Sequence, residues 1–317
     1  MSSVSEAVSR RTTLGYLADH YGYELVPSFA ANVTITSLAD DVASVVPGAL
    51  FVARGPVDDA LLERVLEQGA YAALVPPESR PQTDGCELPL LIGNVSGDRF
   101  GEMANDVSGS PASMLAVFAL ASSASNPSNL AGASAAGANG SGRADDMRRN
   151  VTRLSRLLHM LGNPVSVIGS FGSQSLERPL PVECPLGLLD VQRTLGVCQE
   201  DGAAAVVIAL DDATLEPGAL SGINVDVLGV DGMDSDPRNR DIAARASDRY
   251  GFVMDSQTHL TGRTAESDQI AMQFPSSQDA GIGDVKRSSL AIAMVMAAGV
   301  RRNNIRNALR VSRDLGK

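Results

Sequence analysis

A chain of 317 residues is long for one core and, at roughly 100–200 residues per domain, reads as two. With 44% hydrophobic and 20% charged residues it is of globular type, and 4% aromatics with no tryptophan leave the core to Ala, Val, Leu, Ile and Met. A net charge of −11 repels phosphate backbones and anionic lipid, which argues against nucleic-acid binding and membrane-surface attachment. Cys86, Cys184 and Cys198 are too few and too scattered for a disulfide framework or a zinc site, and read as reduced thiols. No apolar run approaches the roughly 18 residues that span a bilayer. The start, Met1-Ser2-Ser3-Val4-Ser5-Glu6, lacks the basic and apolar regions of a secretion signal. A cytoplasmic chain without membrane insertion is expected.

In chain order, Val33-Thr34-Ile35-Thr36 predicts a strand, and Pro47-Gly48 a turn before a second apolar run, Ala49-Leu50-Phe51-Val52-Ala53. Leu61, Leu62, Val65 and Leu66 fall at helical spacing within 58–68, with Gly69 as a stop. Tyr71-Ala72-Ala73-Leu74-Val75 is a third strand ending at Pro76-Pro77, and Leu90-Leu91-Ile92 adds a short one. This order describes a small α/β domain. Between 104 and 143 the composition shifts to Ala, Ser, Gly and Asn; residues 112–122 read as a helix and 126–142 as a flexible linker. Val151, Leu154, Leu158 and Leu161 share one face of a helix over 145–161, closed by Gly162 and Pro164. Val165-Ser166-Val167-Ile168 then predicts a strand, 188–199 a helix, and 203–210 a nearly continuous apolar strand. Val225-Asp226-Val227-Leu228-Gly229-Val230 and Gly251-Phe252-Val253-Met254 predict two more strands. Apolar strands separated by helices indicate a parallel sheet covered on both faces. The helix at 288–298 is apolar nearly all round and should be buried. A last helix over 301–314 carries Arg302, Arg306, Arg310 and Arg313 along one side.

Three local patterns in this order resemble the Mur ligase family, whose members join an amino acid to a UDP-muramoyl peptide using ATP. The first is Val46-Pro47-Gly48-Ala49-Leu50-Phe51-Val52-Ala53 with Glu67-Gln68-Gly69-Ala70, similar to the family's PGDLFVA and QGA. The second is Ala136-Gly137-Ala138-Asn139-Gly140-Ser141-Gly142, similar to TGTNGKT, followed by Leu161-Gly162-Asn163-Pro164-Val165-Ser166-Val167-Ile168-Gly169-Ser170-Phe171-Gly172. The third is Gly283-Asp284-Val285-Lys286-Arg287-Ser288-Ser289-Leu290-Ala291-Ile292-Ala293, in place of GRFNVYNALAAIA; Asp190-Val191-Gln192 also matches a family position. The likeness covers about residues 30–312 and is greatest to the tripeptide synthetase type. It implies a small N-terminal UDP-binding-type α/β domain over 1–104 and a mostly parallel-sheet, P-loop-like central ATPase domain over 105–317. It also implies that the third, C-terminal ligase domain is absent.

A P-loop cradles phosphates with backbone N–H groups, while a lysine reaches the terminal oxygens and a hydroxyl ligates Mg²⁺. Here Gly137, Asn139 and Gly140 keep the loop's backbone character, but Ser141 stands at the lysine position and Gly142 at the hydroxyl position. In a second register Arg143 replaces the lysine and Ala144 the hydroxyl residue, and Ala144 binds no metal. The family's EVSSH becomes Ala209-Leu210-Asp211-Asp212-Ala213; Asp211 and Asp212 are substitute ligands or a solvated turn. The family's TT aligns with Cys184-Pro185, NADD with Met254-Asp255-Ser256-Gln257, and Asp234 is a remnant of TNLSRDHLDYH. On the UDP side DSR becomes Asp41-Val42-Ala43, with Thr36 and Ser37 as nearby hydroxyls.

The resemblance therefore implies a Mur-like protein without catalytic residues, metal or required cofactor, keeping at most weak ATP binding through Gly137, Asn139, Gly140, Ser141 and Arg143. A UDP-site remnant would lie at Thr36, Ser37 and Asp41. Binding or scaffolding linked to peptidoglycan precursor synthesis is the expected role. A protein partner would dock where the third domain is missing or on the helix bearing Arg302, Arg306, Arg310 and Arg313. The alternatives are a ligase completed by a partner chain and a sensor that holds nucleotide or UDP-sugar without turnover.

Overall fold

The computed structural model describes residues 12–82, 85–122, 139–275 and 281–315. The chain divides between Pro111 and Ala112 into two compact units. A boundary at 104 would cut a helix, since α-helical backbone runs through Gly97–Val107.

In the first unit, β1 (Thr12–Thr13) leads into α1 (Leu14–Tyr21), which Thr13 caps through its hydroxyl and Gly22 ends in the left-handed conformation. There follow β2 (Glu24–Val26), β3 (Thr34–Ile35), β4 (Ser37–Ala39), β5 (Ala49–Val52), α2 (Asp59–Glu67), β6 (Ala72–Val75), β7 (Leu90–Ile92) and α3 (Gly97–Val107). β4, β5, β6 and β7 run parallel, and β2 closes the β7 edge antiparallel. The strand expected at 33–36 is split: β3 pairs with β1 outside the main sheet, and Ser37 opens β4 within it. β5 and β6 are buried along their whole length, as strands covered on both faces must be.

The second unit contains β8 (Ala116–Ala121), α4 (Asn139–Met160), β9 (Val165–Ile168), β10 (Ser173–Ser175), β11 (Arg178–Leu180), α5 (Leu188–Glu200) and β12 (Ala205–Leu210). It continues through β13 (Val227–Met233), α6 (Arg238–Tyr250), β14 (His259–Arg263), α7 (Ala265–Gln273), α8 (Ile282–Ala297) and α9 (Arg302–Leu315). One seven-stranded sheet runs in the order β11-β10-β9-β12-β8-β13-β14. Its β9 to β14 part is parallel, and the β10–β11 hairpin adds an antiparallel edge.

The segment expected as a helix at 112–122 is instead β8, the strand between β12 and β13. Its alanines carry helical propensity, but the alternation decides the outcome. Phe118 and Leu120 enter the core with Val151, Leu154 and Leu158 of α4. Val117 and Ala119 enter the opposite core with Val191 and Leu195 of α5. Two cores on two faces need a period of two, which only a strand supplies. Asp226 fixes the register beyond it. Its Oδ2 accepts the Val117 N–H (2.7 Å), and its carbonyl accepts the His259 N–H (2.8 Å).

Other differences are local. α4 starts at Asn139, within the stretch expected as linker; the remainder of that stretch, 126–138, lies outside the described residues. The strand expected at 251–254 is only a bridge from Val253 to Asn224, and the ladder partner of β13 is the polar β14. α8 is buried from Ser289 to Val295, as its apolar surface demands, and lies so close to β13 that a Cβ on Gly229 would fall 2.3 Å from Met294 Sδ. Leu154 is fully buried between α4 and the sheet, so Leu154→Ala should cost about 3 kcal/mol, read as a lower urea midpoint with an unchanged slope.

Candidate functional site

From β8 the chain passes through α4 to β9 and returns through α5 to β12; β13 and β14 then extend the sheet on the other side. Connections diverge at the carboxyl end of β8, and in an open parallel sheet ligands bind in the crevice outside such a point. α4 ends where β9 begins, so its amino end faces this crevice, and helix N-terminal amides favour an anion there. Gly137 lies outside the described residues. Asn139, Gly140, Ser141 and Arg143 form the first turns of α4, and their backbone alone is described.

The loops around the crevice are tied to one another. After β9, the Ser170 N–H donates to Thr214 Oγ1 (2.9 Å); after β12, the Thr214 N–H donates to Asp211 Oδ1 (2.8 Å). Thr214 is fully buried. A Cβ on Gly169 would lie 2.6 Å from Phe171 Cζ, so the Phe171 ring folds back over the end of β9 and would have to shift for any larger residue there. Burial pushes the Asp211 carboxyl above its ordinary value, against the opposing pull of Thr214. Asp212 lies in an exposed turn, as one of the two expectations had it, and accepts the Arg249 Nε–H (2.5 Å) and the Tyr250 hydroxyl (2.8 Å). The Arg249 hydrogen bond holds its carboxyl below the ordinary value, whereas burial and then Asp212 raise the Tyr250 phenol.

At the carboxyl ends of β8 and β13, Ser122 Oγ donates to Asp231 Oδ2 (3.0 Å). Asp234 Oδ1 accepts the Gly262 N–H (3.0 Å) and so latches β13 to β14. At the end of β14, Arg263 pairs with Asp268 (3.1 Å). A magnesium–triphosphate group needs carboxylate oxygens turned toward the metal and cations turned toward the phosphates. This donor set fits it poorly. Asp211, Asp231 and Asp234 accept donors of the chain itself, and Ala209 and Ala213 offer none.

The structure does not gather the expected UDP-side residues. Thr36 Oγ1 turns to the Gly48 carbonyl (3.4 Å), and Ser37 Oγ is buried at the start of β4 without a partner among the described residues. Asp41 lies beyond the other end of that strand, where Oδ1 caps the Ser44 N–H (3.0 Å). Beside Asp41, Asp40 pairs with Arg54 (2.8 Å), whose guanidinium stacks on Phe100 at 4.4 Å from the ring centroid. In α5, Asp190 accepts Arg193 (3.0 Å), while Gln192 is 1% exposed with both amide atoms unpartnered among the described residues.

The arginines of α9 are not one uniform face. Arg302 pairs with Glu266 (2.6 Å), Arg313 lies over the Phe274 ring (5.7 Å), Arg306 is half-buried and Arg310 exposed. Sequence reading missed the Thr214 tie and the Asp212–Arg249–Tyr250 contact. An aspartate three residues before a threonine, at the end of a strand, was the available signal for the first. The second joins residues 37 and 38 positions apart, for which no local pattern exists.

No family model matches the chain. A curated relative from Xylella fastidiosa, UDP-N-acetylmuramoyl-L-alanyl-D-glutamate–2,6-diaminopimelate ligase, is 27% identical over 213 residues, 64% of this chain and 38% of that ligase. A solved structure of a ligase of the same name superposes on 94% of this chain and 66% of its own, with a TM-score of 0.57 at 12% identity. The chain is Mur-ligase-like. A second solved structure, the UDP-N-acetylmuramoylalanyl-D-glutamyl-2,6-diaminopimelate–D-alanyl-D-alanyl ligase of Acinetobacter baumannii, gives a TM-score of 0.50 at 14% identity over 94% of this chain and 68% of its own. The Mur-like chain thus spans 38% of the curated ligase's length and 66% of that of the first solved one. No helix among its described residues is long and apolar enough to cross a membrane.

The Asp212 contact is testable through pH. A depressed carboxyl contributes stability above its unfolded value and loses it as pH falls through the folded one. Asp212→Asn should therefore cost about 1 kcal/mol at pH 7, allowing for solvent screening of so exposed a pair, and the difference from the parent should shrink on acidification. Urea midpoints across that range measure it.

Proposed function

We propose that this Mur-like chain is a binding or scaffolding protein linked to peptidoglycan precursor synthesis, and that it does not itself carry out ligation. The observation that carries the reading is the crevice at β8, whose described polar groups are engaged by the chain's own donors. The sequence adds Ser141 and Gly142 in place of the lysine and hydroxyl of the resembled loop, and Ala209 and Ala213 in place of its Glu and His. Making an acyl phosphate and displacing it moves negative charge at both steps, so the missing cation and metal terms fall on the transition state. One lost stabilising donor typically slows such a step by about 10²–10³, and several lost together leave no useful rate.

Weak nucleotide binding fits beside this role, because the amino end of the 22-residue α4 faces the crevice and its amides attract an anion without help from side chains. That favours a sensor as the second reading, one that holds nucleotide or UDP-sugar without turnover. Partner docking is assigned to α9, where Arg306 and Arg310 hold no ion pair among the described residues. A cytoplasmic location fits this reading, supported by three free thiols and the likeness to a cell-wall precursor ligase.

The curated relative's name supplies the ligands to try. Purified chain is mixed with MgATP, UDP-N-acetylmuramoyl-L-alanyl-D-glutamate and 2,6-diaminopimelate, with ADP release and calorimetric binding followed in parallel. No ADP above background is expected, and ATP should bind weakly if at all. ADP release that depends on the muramoyl peptide overturns the reading in favour of a ligase, and tight binding of either ligand without turnover favours the sensor.

A further inference from the structure

We propose that a cavity flanking the carboxyl half of α4, distinct from the crevice at β8, binds an amphipathic organic anion with an apolar body and one carboxylate or phosphate head. The cavity holds about 1430 Å³, above the roughly 300–1,000 Å³ usual for small-ligand clefts. It lies wholly within the second unit. Arg156 on its wall is 17 residues from the start of α4, about 25 Å along the helix axis and away from the crevice.

Its lining divides by chemistry. Leu157 of α4, Ala291 and Ile292 of α8, Leu309 of α9 and Phe274 after α7 supply apolar walls. Arg153 and Arg156 of α4, Arg178 of the β10–β11 hairpin and Arg313 of α9 supply four guanidinium groups, with His159 beside them. Against these stand Glu177 and Asp201 in the lining and Asp284 behind Arg153. Arg178 is paired with Asp201 and Arg153 with Asp284, while Arg313 stacks on Phe274. Arg156 is exposed and holds no ion pair among the described residues, so one positive charge is left over beside an apolar wall.

That surplus is opposite in sign to the chain's net charge of −11. An acidic surface on balance repels a small anion, so a local positive surplus beside an apolar wall concentrates it there. The apolar walls reward burial of a hydrocarbon or aromatic body, at roughly 25 cal/mol per Å² removed from water. A guanidinium fork matches the oxygens of a carboxylate or phosphate, and beside low-dielectric walls that hydrogen bond is stronger than in water. Neither a neutral apolar molecule nor a bare phosphate uses both halves. The site does not depend on the ligase-related reading, since no residue at the β8 crevice takes part.

The test uses the whole chain and 8-anilinonaphthalene-1-sulfonate, an aromatic anion that fluoresces on entering an apolar site. Saturable one-to-one binding is expected, displaced by dodecanoate or dodecyl phosphate and not by dodecanol. The more effective of the two amphiphiles identifies the preferred head group. Arg156→Ala should weaken the probe about tenfold, and Ser288→Trp, which places an indole in the cavity, should abolish binding. Arg240→Ala, an exposed arginine on α6 outside the cavity, should leave it unchanged. Thermal unfolding checks that each variant is folded; if Ser288→Trp is not, Arg156→Ala and the dodecanol comparison decide. Absence of saturable binding, equal displacement by dodecanol, or undiminished binding to folded Arg156→Ala overturns the proposal. Muramoyl-peptide-dependent nucleotide turnover would overturn the non-catalytic reading and leave this one standing.

Discussion

The second unit is organised by the requirement that β8 be dry on both faces. A strand in that position has its backbone N–H and C=O groups taken up by neighbours on either side, here β12 and β13, and its side chains sent alternately into two cores. α4, α7 and α8 cover one face, α5 and α6 the other, and the chain must cross over the sheet each time it adds a strand. Those crossovers diverge at the carboxyl end of β8, so the crevice there follows from burying the strand and needs no catalytic residue to create it.

This separation of scaffold from loop ends lets residues at the crevice vary without disturbing the core. The apolar pairs that hold the sheet are remote from the loop ends, so Ala209 and Ala213 cost the core nothing. At the loop ends a carboxylate must meet a donor or suffer the desolvation that burial brings. Asp211 finds the Thr214 N–H, Asp212 finds Arg249 and Tyr250, and Asp234 finds the Gly262 N–H. The first is local in sequence and the other two join distant segments, and each ties a loop down.

Much of this architecture could be read from residues. Gly162 and Pro164 close α4 where expected, and β12 and α8 announce themselves through uninterrupted apolar runs. β8 was misread because three of its six residues are alanines, which say little about period, and because the loop after it obscured the pattern. β14 was missed because His259, Thr261, Gly262 and Arg263 lack strand character; it is a strand because β13 offers an open edge and Asp226 holds its start. At the candidate site the contacts that tie the loops together were not legible. They join β9 to β12 and β12 to α6, pairings that only the folded sheet creates. The cavity beside α4 was equally hidden, since its arginines come from helices and a hairpin lying far apart in the chain.

α9 hangs from the body of the second unit by a narrow attachment. Of its residues from Arg302 to Arg313, Ile305 alone is fully buried, with hollows along both flanks of the helix. A helix with one fully buried residue, helped by Leu309 against the core and the Arg302–Glu266 pair, gains less from burial than the sheet does and should open below the free energy that melts it. Whatever occupies the hollows would bridge helix and body, so occupancy would be written first in the amide protons of this last helix.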